Sequence, residues 1–210
     1  MLFRSDSGDF AGHMARAQEI ADWDGFKKRA TASKKAGRLR GVGLASYIEA
    51  CGSNGPETAT VRLENDGGIT VLIGSQSTGQ GHATAYAQLV AEQLGVPPEQ
   101  VRVVQGDTDM IATGAGTGGS SSIPCGGASL EGAVKKLAGN LKALAADALE
   151  AASGDLEIDQ GKVRVAGTDR AISFAELAAR PDAKPDRLTA SDAFPPPAPT
   201  YPNEIGRAHV

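Results

Sequence analysis

Two periods of hydrophobic and polar positions alternate along the chain and predict a mixture of α-helices and β-strands. The stretch 9–36 carries small and apolar residues at helical spacing, interrupted at Asp24-Gly25. This pattern predicts two helices, with Asp9 and Asp24 as their N-terminal caps. Over 38–50 the apolar residues recur closely enough to predict a mostly buried strand; they are Leu39, Val42, Leu44 and Tyr47.

The remaining elements follow from the same two periods. Residues 57–64 alternate strictly, and Asn65-Asp66-Gly67-Gly68 after them is a strong hairpin turn. The other elements are strands at 69–73 and 101–104, helices at 83–94, 128–152 and 174–179, and a small hairpin that pairs 156–158 with 163–165. Ser173 is the expected cap of the last helix.

These elements predict an α+β fold with a mixed sheet and packed helices. A hairpin and long connections interrupt the strand–helix alternation that a doubly wound parallel sheet requires. The expected organisation is an N-terminal helical segment at 1–37, a domain at 38–180 and a Pro-rich connector at 181–203. We interpret 204–210 as an artefactual tail, because Ile205–Val210 matches the translation of a common sequencing adapter.

Charge and composition exclude several functional classes. The net charge of −4 argues against a general nucleic-acid-binding surface. No apolar run approaches the roughly 18 residues that span a bilayer, so no membrane span is expected. The two cysteines form no Cys-x-x-Cys pair, which favours a reducing cytoplasm. The basic stretch from Lys27 to Arg40 is interpreted as a solvated helix face, with a partner-docking patch as the alternative.

Glycine is over-represented, at 27 of 210 residues, and twelve of these lie from Gly74 to Gly132, a stretch that spans two loops and their flanks. The first loop, 75–82, joins a predicted strand to a predicted helix, whose N-terminus favours an anion or a polar ligand oxygen. Gly79 and Gly81 flank Gln80 and allow close backbone approach to a ligand. The alternative is an ordinary strand-to-helix turn capped by Thr78.

The second loop, 114–122, combines glycines with hydroxyl side chains that can cradle a phosphate or another anion. A flexible surface loop is the alternative. Gly114, Gly116 and Gly119 satisfy G-x-G-x-x-G, but the preceding strand ends too early for a dinucleotide fingerprint. The three histidines lack ligand spacing, so no protein-ligated metal site is expected. The residues alone indicate an anion-binding or cofactor-binding domain.

A set of ordered motifs resembles the molybdenum-binding large subunit of the xanthine dehydrogenase, aldehyde oxidase and carbon monoxide dehydrogenase family. The similarity covers roughly residues 5 to 203, and the carbon monoxide dehydrogenase-like branch is most similar. The motifs are Ser7-Gly8-Asp9-Phe10, the stretch 41–49, Thr78-Gly79-Gln80-Gly81-His82-x-Thr84, Gly106-Asp107-Thr108-Asp109 and Gly116-Thr117-Gly118-Gly119-Ser120.

The resemblance implies a molybdopterin cofactor with molybdenum, in its cytosine dinucleotide form, held by both loops. The implied cofactor-binding residues are Gly79, Gln80, Gly81, His82, Thr117, Gly118, Gly119, Ser120 and Ser122. The pterin dithiolene would hold the molybdenum, so no metal-ligating side chain is implied. Ser121 stands where the family usually has an Arg, which removes a guanidinium able to grip phosphate.

The resemblance further implies an oxidoreductase that hydroxylates or oxidises aldehydes, N-heterocycles or carbon monoxide with water as oxygen source. An iron–sulfur small subunit with 2Fe-2S clusters and an FAD-binding medium subunit would be its partners, in a dimer of heterotrimers. The family's Gly-x-Gly-Glu motif with its catalytic glutamate does not occur here, so no catalytic residue is assigned and the chain alone is expected to be inactive. The alternative is a non-enzymatic phosphate- or nucleotide-binding domain.

Overall fold

A computed structural model describes residues 9–47, 50–52 and 55–195. The chain forms two compact units. The first unit comprises Met1–Ala50 with Thr200–Val210, and the second comprises Cys51–Pro199. The motif Ser7-Gly8-Asp9-Phe10, part of the stretch 41–49 and the tail 204–210 lie wholly or partly outside the described residues.

The first unit contains the two helices that the sequence predicts, α1 (Phe10–Ile20) and α2 (Phe26–Lys35). The Asp9 carboxylate caps α1 by accepting the Gly12 N–H at 2.9 Å. The cap predicted for α2 is wrong, because Gly25 rather than Asp24 is its N-cap and no side chain caps it. Neither helix contains a buried residue in this described part of the chain.

The buried strand predicted over 38–50 is wrong for the described residues of that stretch. Residues 38–47 have no regular secondary structure and are exposed throughout, with Leu39 at 95% exposure. A strand needs a hydrogen-bonded neighbour, and within the described ranges no strand pairs with this segment. Its apolar spacing alone therefore does not make a strand.

A mixed four-stranded sheet organises the second unit. Its strands lie in the order β3 (Val101–Val104), β2 (Ile69–Ile73), β1 (Glu57–Leu63) and β7 (Thr189–Phe194). β1 pairs antiparallel with β2 and with β7, whereas β2 and β3 are parallel. The predicted α+β class with a mixed sheet is confirmed.

Two helices cover the sheet and supply most of its hydrophobic core. α3 (His82–Leu94) connects the parallel strands β2 and β3, as a parallel pair requires. α4 (Ala128–Leu149) packs on β1, β7 and α3. Apolar side chains from both helices and from β1 and β2 are fully buried together; they include Val61, Val71, Ile73, Tyr86, Val90, Leu137 and Leu141.

A smaller antiparallel sheet of β4 (Leu156–Asp159), β5 (Lys162–Val165) and β6 (Ala171–Ser173) packs beside α4. The predicted hairpin is its first pair, and the three-residue β6 was too short for its pattern to be detected. α5 (Phe174–Ala178) begins at Ser173, which forms a capping box with Glu176, as predicted for this cap.

The stretch expected to be a Pro-rich connector differs from that expectation in its described part. Residues 185–194 form α6 (Pro185–Leu188) and strand β7, which completes the central sheet. Most of the prolines lie beyond β7, so they leave its backbone N–H groups available for pairing with β1. In the part of the chain that the structure describes, no helix is long and apolar enough to cross a membrane.

Candidate functional site

Both glycine-rich loops leave the same edge of the central sheet. The first follows the carboxyl end of β2, and residues 105–113 connect the carboxyl end of β3 to the second. Because β2 and β3 are parallel neighbours, these ends lie side by side. In sheets with parallel strands, ligands bind outside the carboxyl ends of the strands.

The first loop presents exposed backbone to solvent. Residues 76–81 are all exposed, and α3 begins immediately after them at His82. Gly79 and Gly81 have φ values of +112° and +79°, which favour glycine. A Cβ at either position would have no described neighbour within 4 Å, so the space beside the loop is open. The unpaired N–H groups at the start of α3 border that space.

Gln80 stabilises the conformation of its own loop. Its side-chain oxygen accepts the Thr78 backbone N–H at 2.5 Å and the Thr78 hydroxyl at 3.2 Å. The Ser77 hydroxyl lies at 3.5 Å from the same oxygen. This arrangement fixes the amide at the exposed rim of the loop, beside the two left-handed glycines.

His82 carries a buried nitrogen that lacks a partner. The residue is only 6% exposed, and its Nδ1 has no hydrogen-bond partner among the described residues. Its ring lies 5.7 Å from the Tyr86 ring, one helical turn along α3, at an interplanar angle of 42°. Buried polar atoms are nearly always hydrogen-bonded, so an unpaired nitrogen at the first residue of α3 is consistent with a ligand contact there.

The second loop is tied directly to the first. The Thr117 hydroxyl donates to the Gln76 carbonyl. The Gln105 side-chain amide, directly after β3, donates to the Ser75 carbonyl and also holds the first loop. A Cβ at Gly114 would lie 2.5 Å from Gly74 Cα, so the two backbones touch where only glycine fits. The loops therefore form one continuous surface rather than two separate sites.

The remaining predicted residues lie along the second loop as it enters the long helix. Ser120 adopts a left-handed φ of +49°, and its carbonyl accepts the Gly52 N–H at 3.2 Å. Ser121 is buried, and its hydroxyl donates to the Gly119 carbonyl at 3.1 Å. Gly116, with φ of +72°, has open space where a Cβ would be.

A π-helix at Ser122–Gly127 separates the second loop from α4. The sequence predicted α4 but not this π-helix. The carbonyl of its first residue, Ser122, accepts the Tyr86 hydroxyl at 2.7 Å, and Pro124 has no N–H to give to a regular ladder. Such π-turns occur frequently at functional sites.

Sequence reasoning missed the polar residues beneath the loops. Glu57 is 2% exposed at the start of β1, and its Oε2 accepts the Ser75 hydroxyl at 3.2 Å. Burial, and then the negative charge of Glu57, raise the pKa of Tyr86, although its hydrogen bonds with Ser75 and Ser122 act in the opposite direction. The alternation of β1 could have revealed that Glu57 is buried. Glu57 lies an even number of residues from the buried Ala59, Val61 and Leu63, so its side chain is on the same face of the strand.

The donors of this site suit an anionic, heterocyclic ligand better than a bare metal ion. They are backbone N–H groups, hydroxyls, one amide and one imidazole. The described residues include no group of three or more His, Cys, Asp and Glu side chains able to hold a metal ion. Open space beside three left-handed glycines, together with the unpaired His82 Nδ1, fits a large cofactor that brings its own metal ligands.

Comparison with known proteins agrees with this geometry. Residues 16–210 match the family model of the molybdopterin cofactor-binding domain. The chain is 36% identical over 180 residues to the 6-hydroxypseudooxynicotine dehydrogenase complex subunit gamma of Paenarthrobacter nicotinovorans, covering 86% of this chain and 23% of that protein. It is 32% identical over 208 residues to the carbon monoxide dehydrogenase large chain of Afipia carboxidovorans, covering 90% and 25%.

Solved structures show the same relationship. CO dehydrogenase from Oligotropha carboxidovorans superposes with a TM-score of 0.65 at 30% identity, covering 95% of this chain and 28% of that one. Quinoline 2-oxidoreductase from Pseudomonas putida gives a TM-score of 0.62 at 29% identity, covering 90% and 27%. The chain thus spans about a quarter of the length of these relatives. It belongs to the molybdopterin cofactor-binding domain family of the molybdenum hydroxylases.

Proposed function

We propose that the two loops bind the molybdenum cofactor in its cytosine dinucleotide form. The observation that carries this proposal is the joining of both loops at neighbouring strand ends, with exposed left-handed glycines facing open space. A dinucleotide pterin is long and polyanionic, so it needs both a helix N-terminus and a second anion-binding loop within reach.

The two loops would bind different parts of this cofactor. Gln80, Gly81 and His82, with Gly79 beside them, would contact the pterin or its phosphate. Thr117, Gly118, Gly119, Ser120 and Ser122 would bind the nucleotide's phosphates and polar edges. When bound, the cofactor supplies a dithiolene-held molybdenum that oxidises a carbon centre with oxygen from water. This chain's residues hold and orient it, and none is assigned as a catalytic acid or base.

We further propose that the complete enzyme contains partners for electron transfer. An iron–sulfur subunit with 2Fe-2S clusters and an FAD-binding subunit would accept the electrons, within a dimer of heterotrimers. The relatives support this, since one is named as the gamma subunit of a dehydrogenase complex and another as a large chain. Purification of the natural complex, with molybdenum, iron, flavin and nucleotide analysis, tests this composition. A correctly assembled complex that lacks molybdenum would contradict it.

A binding measurement on the chain tests the proposed site directly. Cytidine 5′-diphosphate serves as the probe for the nucleotide end of the cofactor, and isothermal titration measures its affinity. Gly116→Ala is expected to weaken binding by about tenfold. The added methyl group would occupy the open space beside Gly116, where the ligand must approach the loop backbone.

Gly167→Ala is the matched control for this variant. Gly167 has φ of +71° against +72° for Gly116, and both have open space where a Cβ would be. The two substitutions therefore introduce the same backbone strain, but Gly167 lies in the turn between β5 and β6. Equal effects of the two variants would argue against the site. Equal affinity for inorganic phosphate and cytidine diphosphate would favour a simple anion-binding domain instead.

A further inference from the structure

A buried carboxylate lies at the point where the two glycine loops meet. Glu57 is the first residue of β1, and its side chain reaches under the end of β2. A Cβ built on Gly74 would lie 2.5 Å from Glu57 Oε1, and one built on Gly114 would lie 3.4 Å from it. The carboxylate therefore fills the space that these two glycines leave open.

The two oxygens of this carboxylate have different surroundings. Oε2 accepts the hydroxyl of Ser75, the residue with which the first loop begins, at 3.2 Å. Oε1 is buried and has no hydrogen-bond partner among the described residues. An unsatisfied buried acceptor on a charged group destabilises a fold, so its presence beside a candidate binding loop calls for a functional explanation.

The backbone of Glu57 is held in place by both of its neighbouring elements. The Ser129 hydroxyl of α4 lies 2.6 Å from the Glu57 carbonyl and 2.8 Å from the Phe194 nitrogen, which donates to it. Phe194 is opposite Glu57 in the β1–β7 pair. Strand β1, strand β7 and α4 thus converge on this residue.

The hydroxyl of Tyr86 belongs to the same buried polar cluster. A Cβ on Gly126 would lie 3.0 Å from Tyr86 Oη and 3.5 Å from Ser75 Oγ. Tyr86 donates to the Ser122 carbonyl at 2.7 Å, at the end of the second loop. The cluster therefore contacts the start of the first loop and both ends of the second.

We propose that Glu57 is a positioning residue for cofactor binding: its carboxylate anchors both loops, and Oε1 accepts a backbone N–H of the second loop when a nucleotide is bound. The part of this proposal that involves a bound nucleotide rests on the proposed function. The anchoring of the loops by Glu57 does not. The second loop is the natural source of this N–H, because its backbone at Gly114 is already beside Oε1.

The test compares wild type with Glu57→Leu, Glu57→Gln and the control Glu64→Leu. Glu64 directly follows the other end of β1, away from the loops, and forms an ion pair with Arg62 at the surface. Three measurements are made on the full chain: the melting temperature, hydrogen exchange of 75–81 and 113–120 without ligand, and the affinity for cytidine diphosphate.

Glu57→Leu is expected to keep or raise the melting temperature, because an apolar side chain replaces a buried, partly unsatisfied carboxylate. Its loops are nevertheless expected to exchange faster, and its nucleotide affinity to fall by about tenfold. Glu57→Gln retains an acceptor oxygen and should restore affinity to within about threefold of wild type. Glu64→Leu should leave loop exchange and affinity unchanged.

Several results would overturn the positioning role. A lower melting temperature or loss of folding in Glu57→Leu would make Glu57 a stabilising residue instead. Unchanged loop exchange, or a Glu57→Gln affinity as low as that of Glu57→Leu, would also contradict it. If wild type does not bind cytidine diphosphate, the proposed function fails, while hydrogen exchange still decides whether Glu57 anchors the loops.

Discussion

The Tyr86 hydroxyl illustrates how one polar atom joins the core to the site. Its ring is fully buried between the sheet and α4, while its oxygen donates to the Ser122 carbonyl at 2.7 Å. This bond ties α3 to the first residue of the π-helix that precedes α4. The ring of the same residue lies 5.7 Å from the tilted ring of His82, the first residue of α3.

Replacing Tyr86 by Phe is expected to lower the free energy of unfolding by about 1 kcal/mol at neutral pH. Burial and the charge of Glu57 raise the pKa of Tyr86 in the folded chain above the value of about 10 in the unfolded chain. The stability contributed by the neutral phenol is therefore complete below about pH 10 and is lost as the pH rises further.

Urea unfolding at several pH values between 8 and about 11 measures this effect. The difference between wild type and Tyr86→Phe should shrink over the upper part of that range. Tyr47→Phe is the control, because Tyr47 is exposed and should leave stability unchanged at every pH. A difference that stayed constant with pH would show that Tyr86 does not ionise in this way.

At this scale the sequence predicts the positions of the two loops better than the buried polar contacts beneath them. Glycines flanking Gln80 and hydroxyls beside Gly119 have a composition that marks a loop, so their positions could be inferred. Glu57 and Ser75 approach each other only through the pairing of β1 with β2, which composition does not record. Likewise, an unpaired nitrogen on His82 depends on packing around α3.

At the scale of elements, α4 and β7 are joined by a polar contact as well as by the core. Lys136 Nζ donates to Asp192 Oδ1 at 2.7 Å and to the Ser191 carbonyl at 3.1 Å. Gly132, one turn earlier on α4, leaves room for this carboxylate, since a Cβ there would lie 2.7 Å from Asp192 Cγ. The hydrogen bond from Lys136 lowers the pKa of Asp192.

The substitution Lys136→Met is expected to lower the free energy of unfolding at neutral pH but not in strong acid, where Asp192 is protonated. Because the pKa of Asp192 is lowered on folding, its contribution is present above its ordinary value of about 3.9 and is lost as the pH falls through the folded value. Both side chains are partly exposed, so the effect should not exceed about 0.5 kcal/mol.

Urea unfolding near neutral pH and near pH 2.5 measures this difference. Lys135→Met is the matched control on the same helix, because Lys135 pairs with Glu131 within α4 and not with β7. A Lys136→Met variant that is as stable as wild type at neutral pH, or whose loss of stability persists in acid, would contradict the assigned role.

Individual elements were predictable because their signals are local, whereas their partners were not. The capping box at Ser173 and the hairpin turn at 65–68 involve neighbours in sequence. The pairing of Glu57 with Phe194 joins residues that are far apart in sequence. The pattern of β7 also conceals a strand, because it includes Asp192 and precedes a proline-rich stretch. The segment 38–47 shows the converse, since it has apolar spacing but no strand partner among the described residues.

At the scale of the whole chain, every described residue of the hydrophobic core lies in the second unit. The described core extends from Ala59 to Ala190, whereas α1 and α2 contribute no buried residue to it. Burial of apolar surface is the main source of stability, so the second unit should carry nearly all of the chain's cooperative unfolding. This division also places both glycine loops within the stable unit.

A chain that begins at Cys51 and ends at Pro199 should therefore unfold cooperatively, with a midpoint close to that of the full chain. Its helical circular dichroism should fall by the contribution of α1 and α2, which together contain 21 residues, 11 and 10 respectively. A control chain that ends at Leu149 lacks the smaller sheet, α5, α6 and β7, which leaves β1 with an unpaired edge and exposes the α4 surfaces that pack against these elements. That control is expected to lose cooperative unfolding.

Thermal denaturation followed by circular dichroism measures both midpoints. A large drop in the midpoint of the 51–199 chain would mean that the first unit stabilises the second. The loops would then depend on residues outside their own core.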